Sequence, residues 1–319
     1  MRSQETDDHA DGVSVDAVGD EASTRSTYPE RGGIDVFDSL LVRQPIVEGQ
    51  TQAVRRLLTE WAGEHDDGDA RTLLPVEGVT LVTLFLDEGE FGWTDDAGRG
   101  SERGNALLWY VEVVDDEVDA WTTPDATVRR ESPLFERGLA DALTDGATVH
   151  AAGHGEHRYV THVTNPHRQE RYSDAVGRTL VAPVADDDLP IPVAVTSLEV
   201  KAGPTSTLVA RAVDVVNLIK RLDRVRSRAR VETETVEAEA MYTESLLLRG
   251  VGDRQVVHYY METEDMDRLY EAFHESDDWE ARVSEWVLRR VLANPEAFLD
   301  PPLESECEVL IHAVDPERP

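Results

Sequence analysis

A repeat at long range restricts what this chain can fold into more than any other feature of its sequence. The run Trp109-Tyr110-Val111-Glu112 followed by Asp115 returns as Tyr259-Tyr260-Met261-Glu262 followed by Asp265. Likewise His162-Val163-Thr164-Asn165-Pro166-His167-Arg168 returns as His312-Ala313-Val314-Asp315-Pro316-Glu317-Arg318. The displacement is 150 both times, from 109 to 259 and from 162 to 312. Two coincident shifts argue for two copies of one unit. Upstream, Ser39-Leu40-Leu41-Val42-Arg43 aligns with Ser197-Leu198-Glu199-Val200-Lys201, where the shift from 39 to 197 is 158. Loop insertions account for the change: the first copy carries a Gly-rich excursion over 87–104, and the second has only the short turn 249–253 there.

Each copy reads as β-α-β-β-α-β. In the second, a strand over 193–202 precedes Leu208, Ala212, Val215, Ile219 and Leu222, which follow helical spacing. A hairpin over 241–248 and 255–262 comes next, then a helix striped by Met266, Leu269, Tyr270 and Phe273 with Thr263 as its N-cap. Trp279, Val283, Trp286, Val287 and Val291 mark a further helix that Asn294-Pro295 stops, before a last strand over 307–314. In the first copy Ala53, Val54, Leu57, Leu58 and Trp61 mark the opening helix, and Ser132-Pro133 starts a later one. The fold class is therefore α+β: two tandem ferredoxin-like units whose sheets pack face to face as a pseudo-dimeric α/β barrel. The expected divisions are an acidic disordered tail over 1–33, a first unit over 34–168, a linker over 169–192 and a second unit over 193–319.

The second copy also resembles a known family. Tyr259-Tyr260-Met261-Glu262, Glu264-Asp265-Met266, Glu271-Ala272-Phe273-His274-Glu275-Ser276-Asp277 and the ending Val314-Asp315-Pro316-Glu317-Arg318-Pro319 are similar to an uncharacterised archaeal and bacterial family of small ferredoxin-like domains, related in shape to dimeric α/β-barrel proteins. The resemblance covers most of 195–319, departs where the helix near 221–239 is longer, and implies no catalytic residue.

Charge narrows the setting. The 319 residues carry a formal charge of -34, and the lysines are Lys201 and Lys220. Self-repulsion of that size opposes compaction unless salt screens it; at about 1 M salt the Debye length is roughly 3 Å. The reading is a halophilic, acidic cytoplasmic protein. It predicts a folded circular dichroism spectrum in molar potassium chloride that is lost on desalting, whereas a sharp melting transition at low salt would contradict it. The same charge argues against nucleic acid as a partner. No apolar run reaches transmembrane length, so no membrane role is expected. Cys307 is the single cysteine, which rules out an internal disulfide or a CxxC pair and leaves it a packing role in the last strand.

Strand alternation sorts the repeated residues by face. Leu108, Tyr110 and Glu112, with His258, Tyr260 and Glu262, project to the side facing the inter-sheet space; Trp109 and Val111, with Tyr259 and Met261, project to the helices. His162 and His312 on the last strands reach the same interior. These seven, Tyr110, Glu112, His162, His258, Tyr260, Glu262 and His312, are the candidate ligand-binding residues. Two readings apply. A carboxylate desolvated there would have a raised pKa and act as a base; or the glutamates sit at strand ends in water, the tyrosines pack, and the histidines are structural.

Other features carry less. His150, His154 and His157 cluster around Gly153 and Gly155, but a turn over 153–156 makes this a solvated hairpin tip, and no metal is expected. The basic run 221–230 faces glutamates one helical turn later, which describes an exposed charge-laced helix and a docking face for an acidic protein partner. The segment 98–104 is off the dinucleotide spacing, and GxSxG, HExxH and Walker strings are missing; neither catalytic residues nor cofactors are assigned. The function expected is a non-catalytic module binding a small molecule or a protein. The alternatives are a small dimeric α/β-barrel enzyme of monooxygenase or isomerase type, with Glu112 or Glu262 as base, and an interaction scaffold. A closed cavity lined by Tyr110, Glu112, His258 and Tyr260 favours binding or catalysis; a filled interior with an exposed apolar patch favours the scaffold.

Overall fold

The apolar runs at 79–87 and 106–114 are too continuous for a strand with one wet face, and both are buried along their whole length. The computed structural model describes residues 37–65, 67–88, 104–114, 121, 123–145, 148–151, 157–165, 168, 181–183, 192–203, 241–251, 254–264, 286, 288–296, 307–315 and 318. In chain order they form β1 (Phe37–Pro45), α1 (Thr51–Glu64), α2 (Ala70–Leu73), β2 (Val79–Asp87), β3 (Ala106–Val114), α3 (Pro124–Glu131), a wide helical turn (Phe135–Leu139) running into α4 (Ala140–Ala142), β4 (Thr148–Ala151), β5 (His157–Thr164), β6 (Val181–Pro183), β7 (Val193–Val200), β8 (Met241–Val251), β9 (Arg254–Thr263) and β10 (Glu308–Val314).

These strands make an α+β fold with two antiparallel sheets. One has the order β4-β1-β3-β2-β10-β6, the other β5-β8-β9-β7. The strands that carry the two histidine landmarks each pair with a strand distant in sequence: β5 pairs with β8, with Thr164 opposite Thr243, and β10 pairs with β2, with His312 opposite Thr83. Pairing by sequence proximity would not have placed either.

Three apolar layers follow from the alternation. Outside the six-stranded sheet, Trp109, Val111, Leu40 and Val42 pack against Val54, Leu58 and Trp61 of α1 and against Val128, Leu134 and Leu139. Between the sheets lie Leu41, Leu81, Phe85, Leu108 and Tyr110 from one side and Val195, Leu247 and Tyr260 from the other, joined by Cys307. Outside the four-stranded sheet, Tyr259, Met261 and Leu198 pack against Leu292, whose backbone bridges to Val200. The expected face assignment of Tyr110 and Tyr260 against Trp109 and Tyr259 is observed. Trp109 is fully buried, with its indole N–H donating to Gln44 Oε1 at 2.9 Å. Burial of a side chain that large contributes about 3 kcal/mol while the hydrogen bond removes the polar penalty.

Three local expectations change. Leu41 lies opposite Tyr110 and Val195 opposite Tyr260, so Ser39 corresponds in register to Val193, a shift of 154 rather than 158. The short apolar strands resemble one another at more than one offset, and only pairing fixes the register. Residues 148–151 and 157–164 are not a hairpin: β4 pairs with β1, placing His150 opposite Leu41, and β5 places His157 opposite Arg249 in the other sheet. Ser132 closes α3, a helix begun by Pro124 that the periodicity missed, and its carbonyl and hydroxyl also accept from Phe135 and Leu134 N–H as the wide turn begins. The turn needs Gly138 at φ +104, a backbone state costly for any other residue. Thr263 lies buried at the end of β9, and the helix it is expected to cap falls outside the described residues.

The excursion over 98–104 falls outside the described residues except for Gly104. Also outside them are His154, the basic run 221–230 and the helices expected over 205–238 and 266–273. Among the described residues no helix is long and apolar enough to cross a membrane, and no cluster of His, Cys, Asp or Glu is disposed to hold a metal.

Candidate functional site

The repeated residues meet between the sheets. Tyr110 at mid-β3 and Tyr260 at mid-β9 approach from opposite sheets and stack, ring centroids 3.5 Å apart and planes 9° from parallel. Phe85 meets Tyr260 edge-on at 6.2 Å. Among the described residues these three rings are in contact at the centre of the inter-sheet space.

From each phenol a chain of polar groups runs outward. Tyr110 Oη is 2.6 Å from Ser245 Oγ, which is 2.6 Å from His162 Nδ1. His162 Nε2 faces Glu112 at 3.6 Å. Glu112 takes a two-pronged bond from Arg168, at 2.8 and 2.9 Å, and a third from Thr80 Oγ1 at 2.6 Å. The other chain is built alike. Tyr260 Oη is 3.2 Å from Thr83 Oγ1, Thr83 Oγ1 is 2.9 Å from His312 Nδ1, and His312 Nε2 is 3.4 Å from Glu262. Arg318 holds Glu262 at 2.7 and 3.1 Å.

Local chemistry brings the arginines into place. The sequence after β5 and β10 carries an Asn-Pro or Asp-Pro pair, a dipeptide that favours turns. Arg168 N–H returns to Asn165 O at 3.0 Å and Arg318 N–H to Asp315 O at 3.1 Å. Each is tied to the neighbouring strand, Asn165 N–H donating to Tyr242 O and Asp315 N–H to Thr80 O. The guanidinium is thereby folded back onto the carboxylate of the preceding hairpin.

Both sequence-based readings of the glutamates are corrected. Glu112 and Glu262 are not solvated strand ends, since each is fully buried. Nor are they bases with raised pKa. Burial would push Glu112 up, but the Arg168 charge and hydrogen bonds, with His162 and Arg318 beyond, outweigh it and hold the carboxyl at about 2. Glu262 is likewise held well below its usual range: Arg318 and His312 override burial. The phenols move the other way. Burial first, and then the neighbouring glutamate charge, raise Tyr110 and Tyr260 well above the usual value.

Of the seven candidates, six therefore fall into the two chains. His258 is buried on β9 opposite Leu247 and Ser197, two residues before Tyr260. The chain on that side closes through His312 instead. Sequence reasoning missed four members. Arg168 and Arg318 end the repeated landmark, so their recurrence at the same displacement was the available signal. Ser245 and Thr83 had none, because each is distant in sequence from its histidine and meets it only as a cross-strand partner, Ser245 opposite His162 and Thr83 opposite His312. Outside this interior a groove of about 670 Å³ lies on the outer helical layer, lined by Ala53, Arg56, Leu57, Glu60 and Glu64 of α1 and by Arg137.

No family model matches the chain, and no curated protein matches it. Among solved structures it is similar to a candidate monooxygenase of Fusobacterium nucleatum subsp. nucleatum ATCC 25586, at 8% identity over 88% of this chain and 96% of that one, with a TM-score of 0.43. It is similar also to a candidate monooxygenase of Lactobacillus acidophilus NCFM, at 8% identity over 81% and 90% of the two chains with a TM-score of 0.36. An anthrone oxidase-like protein aligns at 13% identity over 88% and 92%, with a TM-score of 0.30. Similarity at this level assigns no activity, and the chemistry has to be read from the geometry.

Proposed function

We propose that the chain is a non-catalytic binding module, built as a tandem pseudo-dimer of two ferredoxin-like units that close into one α/β barrel. Support for the architecture comes from the reciprocal placement of β5 and β10 and from two polar chains whose tyrosine, histidine, glutamate and arginine recur at the same displacement. Support for the absence of catalysis rests on one observation: each buried carboxylate is held by a two-pronged arginine bond. A general base must sit within reach of a substrate proton and titrate near the working pH. Glu112 and Glu262, enclosed and held below their usual range by the arginines, are poorly placed for either condition. An enzyme of monooxygenase or isomerase type working through either glutamate would first have to break its arginine pair inside the core.

Binding in this reading takes place on the outer surface, where the groove along α1 offers Arg56 and Arg137 beside Glu60 and Glu64 around the apolar Leu57. That arrangement suits a small molecule carrying both charges. The acidic surface fits the same proposal, as a soluble module for a concentrated-salt cytoplasm. A thermal-shift screen of metabolites and haem in molar potassium chloride tests it. Ligands that raise the melting temperature are expected to lose their effect in Arg56→Ser and to keep it in Tyr110→Phe. Dependence on Tyr110, or turnover that falls in Glu262→Gln, would overturn the reading.

A further inference from the structure

The interior carries more than packing requires. Two fully enclosed phenols, Tyr110 at 0% and Tyr260 at 2% exposure, stack face to face at 3.5 Å. Each also lies one hydroxyl away from an imidazole whose far nitrogen faces a carboxylate. A core needing only shape would leave such hydroxyls apolar, because every buried polar group adds a desolvation cost.

The arrangement matches what oxidation of a buried phenol demands. Removing an electron from a neutral tyrosine makes it a strong acid, and in a dry interior the proton must leave in the same event. His162 Nδ1 lies 2.6 Å from Ser245 Oγ while Nε2 lies 3.6 Å from Glu112; in the neutral form of the imidazole that carries its proton on Nε2, as distinct from the cation that helps hold Glu112 down, Nδ1 accepts from Ser245 and Ser245 can accept from Tyr110. The second chain has the same order through Thr83 and His312.

We propose that the stacked Tyr110–Tyr260 pair is a proton-coupled one-electron oxidation site, addressed by a one-electron oxidant of the high-potential metal-complex class. The oxidant takes one electron from Tyr110 and is reduced by one. The phenolic proton passes to Ser245 Oγ as the proton of that hydroxyl passes to His162 Nδ1. The products are a neutral phenoxyl radical and an imidazolium facing the Glu112 carboxylate, so charge and protons balance. Tyr260 reacts identically through Thr83 and His312, and the parallel rings let the unpaired electron spread over both. This activity goes beyond the binding role and does not depend on it.

The full chain in molar potassium chloride, oxidised by photogenerated tris(bipyridyl)ruthenium(III), tests the proposal by electron paramagnetic resonance. The expected signal is a tyrosyl radical shared by two rings, formed more slowly in deuterium oxide. Tyr260→Phe should confine it to a single ring, and Tyr110→Phe/Tyr260→Phe should abolish it. Replacing the relay hydroxyls in Ser245→Ala/Thr83→Ala, or the bases in His162→Gln/His312→Gln, should slow formation by at least on the order of tenfold. Two sets guard against a variant that does not fold, and circular dichroism in the same salt identifies one. A signal unchanged in the double phenylalanine variant places the radical on other tyrosines and overturns the proposal. So does a rate indifferent to deuteration and to the relay substitutions, or failure of the wild type to form the radical.

Discussion

The polar chain beginning at Tyr110 and the one beginning at Tyr260 share their tyrosine, histidine, glutamate and arginine, and differ in the hydroxyl that joins them. Ser245 bridges its tyrosine and histidine at 2.6 Å on each side. Thr83 does so at 3.2 and 2.9 Å. The first chain is also braced at its ionic end, Thr80 donating to Glu112 at 2.6 Å and Arg168 to Thr243 at 3.0 Å. The ionic part is thus held in common, while the hydroxyl varies with whichever strand of the opposite sheet faces it. A buried carboxylate tolerates no substitute for its cation, whereas a bridging hydroxyl needs only an oxygen in the right place.

That difference can be broken experimentally at several strengths. Removing one partner of a buried ion pair strands the other, so Arg168→Leu and Arg318→Leu should each cost about 3–5 kcal/mol by chemical denaturation in molar potassium chloride. The loss should be much smaller when Glu262→Leu accompanies Arg318→Leu. Equal losses for single and paired substitutions would mean that the cation does not compensate the carboxylate. Tyr260→Ala should cost about 3–4 kcal/mol by leaving a void against Tyr110, and Tyr260→Phe only about 1 kcal/mol.

Acid should act on both chains at once. An unfolded glutamate titrates near 4.5 and Glu112 at about 2, so the native state holds fewer protons in between. Its contribution is fully present above about pH 4.5 and is lost progressively as pH falls toward 2. Glu262, also depressed, adds to the same loss. Denaturation midpoints across that range check it, and a flat profile would remove the carboxylates from the stability of the fold. The smallest effect should separate the hydroxyls: Ser245→Ala is expected to cost about 1–2 kcal/mol and Thr83→Val about 1 kcal/mol or less, following the shorter bonds at Ser245.

Much of this was legible in the chain. Alternation along 108–112 and 258–262 gave the inward faces of Tyr110, Glu112, Tyr260 and Glu262 correctly, since side-chain direction in a strand is a local property. The Arg168 and Arg318 positions were visible too, at the end of the landmark that revealed the repeat, but nothing local says that a charge near a proline turn will fold back into the core. Ser245 and Thr83 could not be found this way: their significance is that another strand, from another part of the sequence, lies across from them. The burial of Glu112 was misjudged for the same reason, because a glutamate at a strand end looks solvated until the arginine that covers it is placed.

By itself, then, the sequence determined that the protein would be α+β and acidic, and which residues of β3 and β9 would point inward. Periodicity and composition act over a few neighbouring residues, and they suffice for that. Only the tertiary structure decided that β5 and β10 pair with strands distant in sequence, that the tyrosines meet ring to ring, and that each glutamate is neutralised by an arginine beyond the turn. Those outcomes depend on the relative free energies of long-range pairings, which no local pattern encodes.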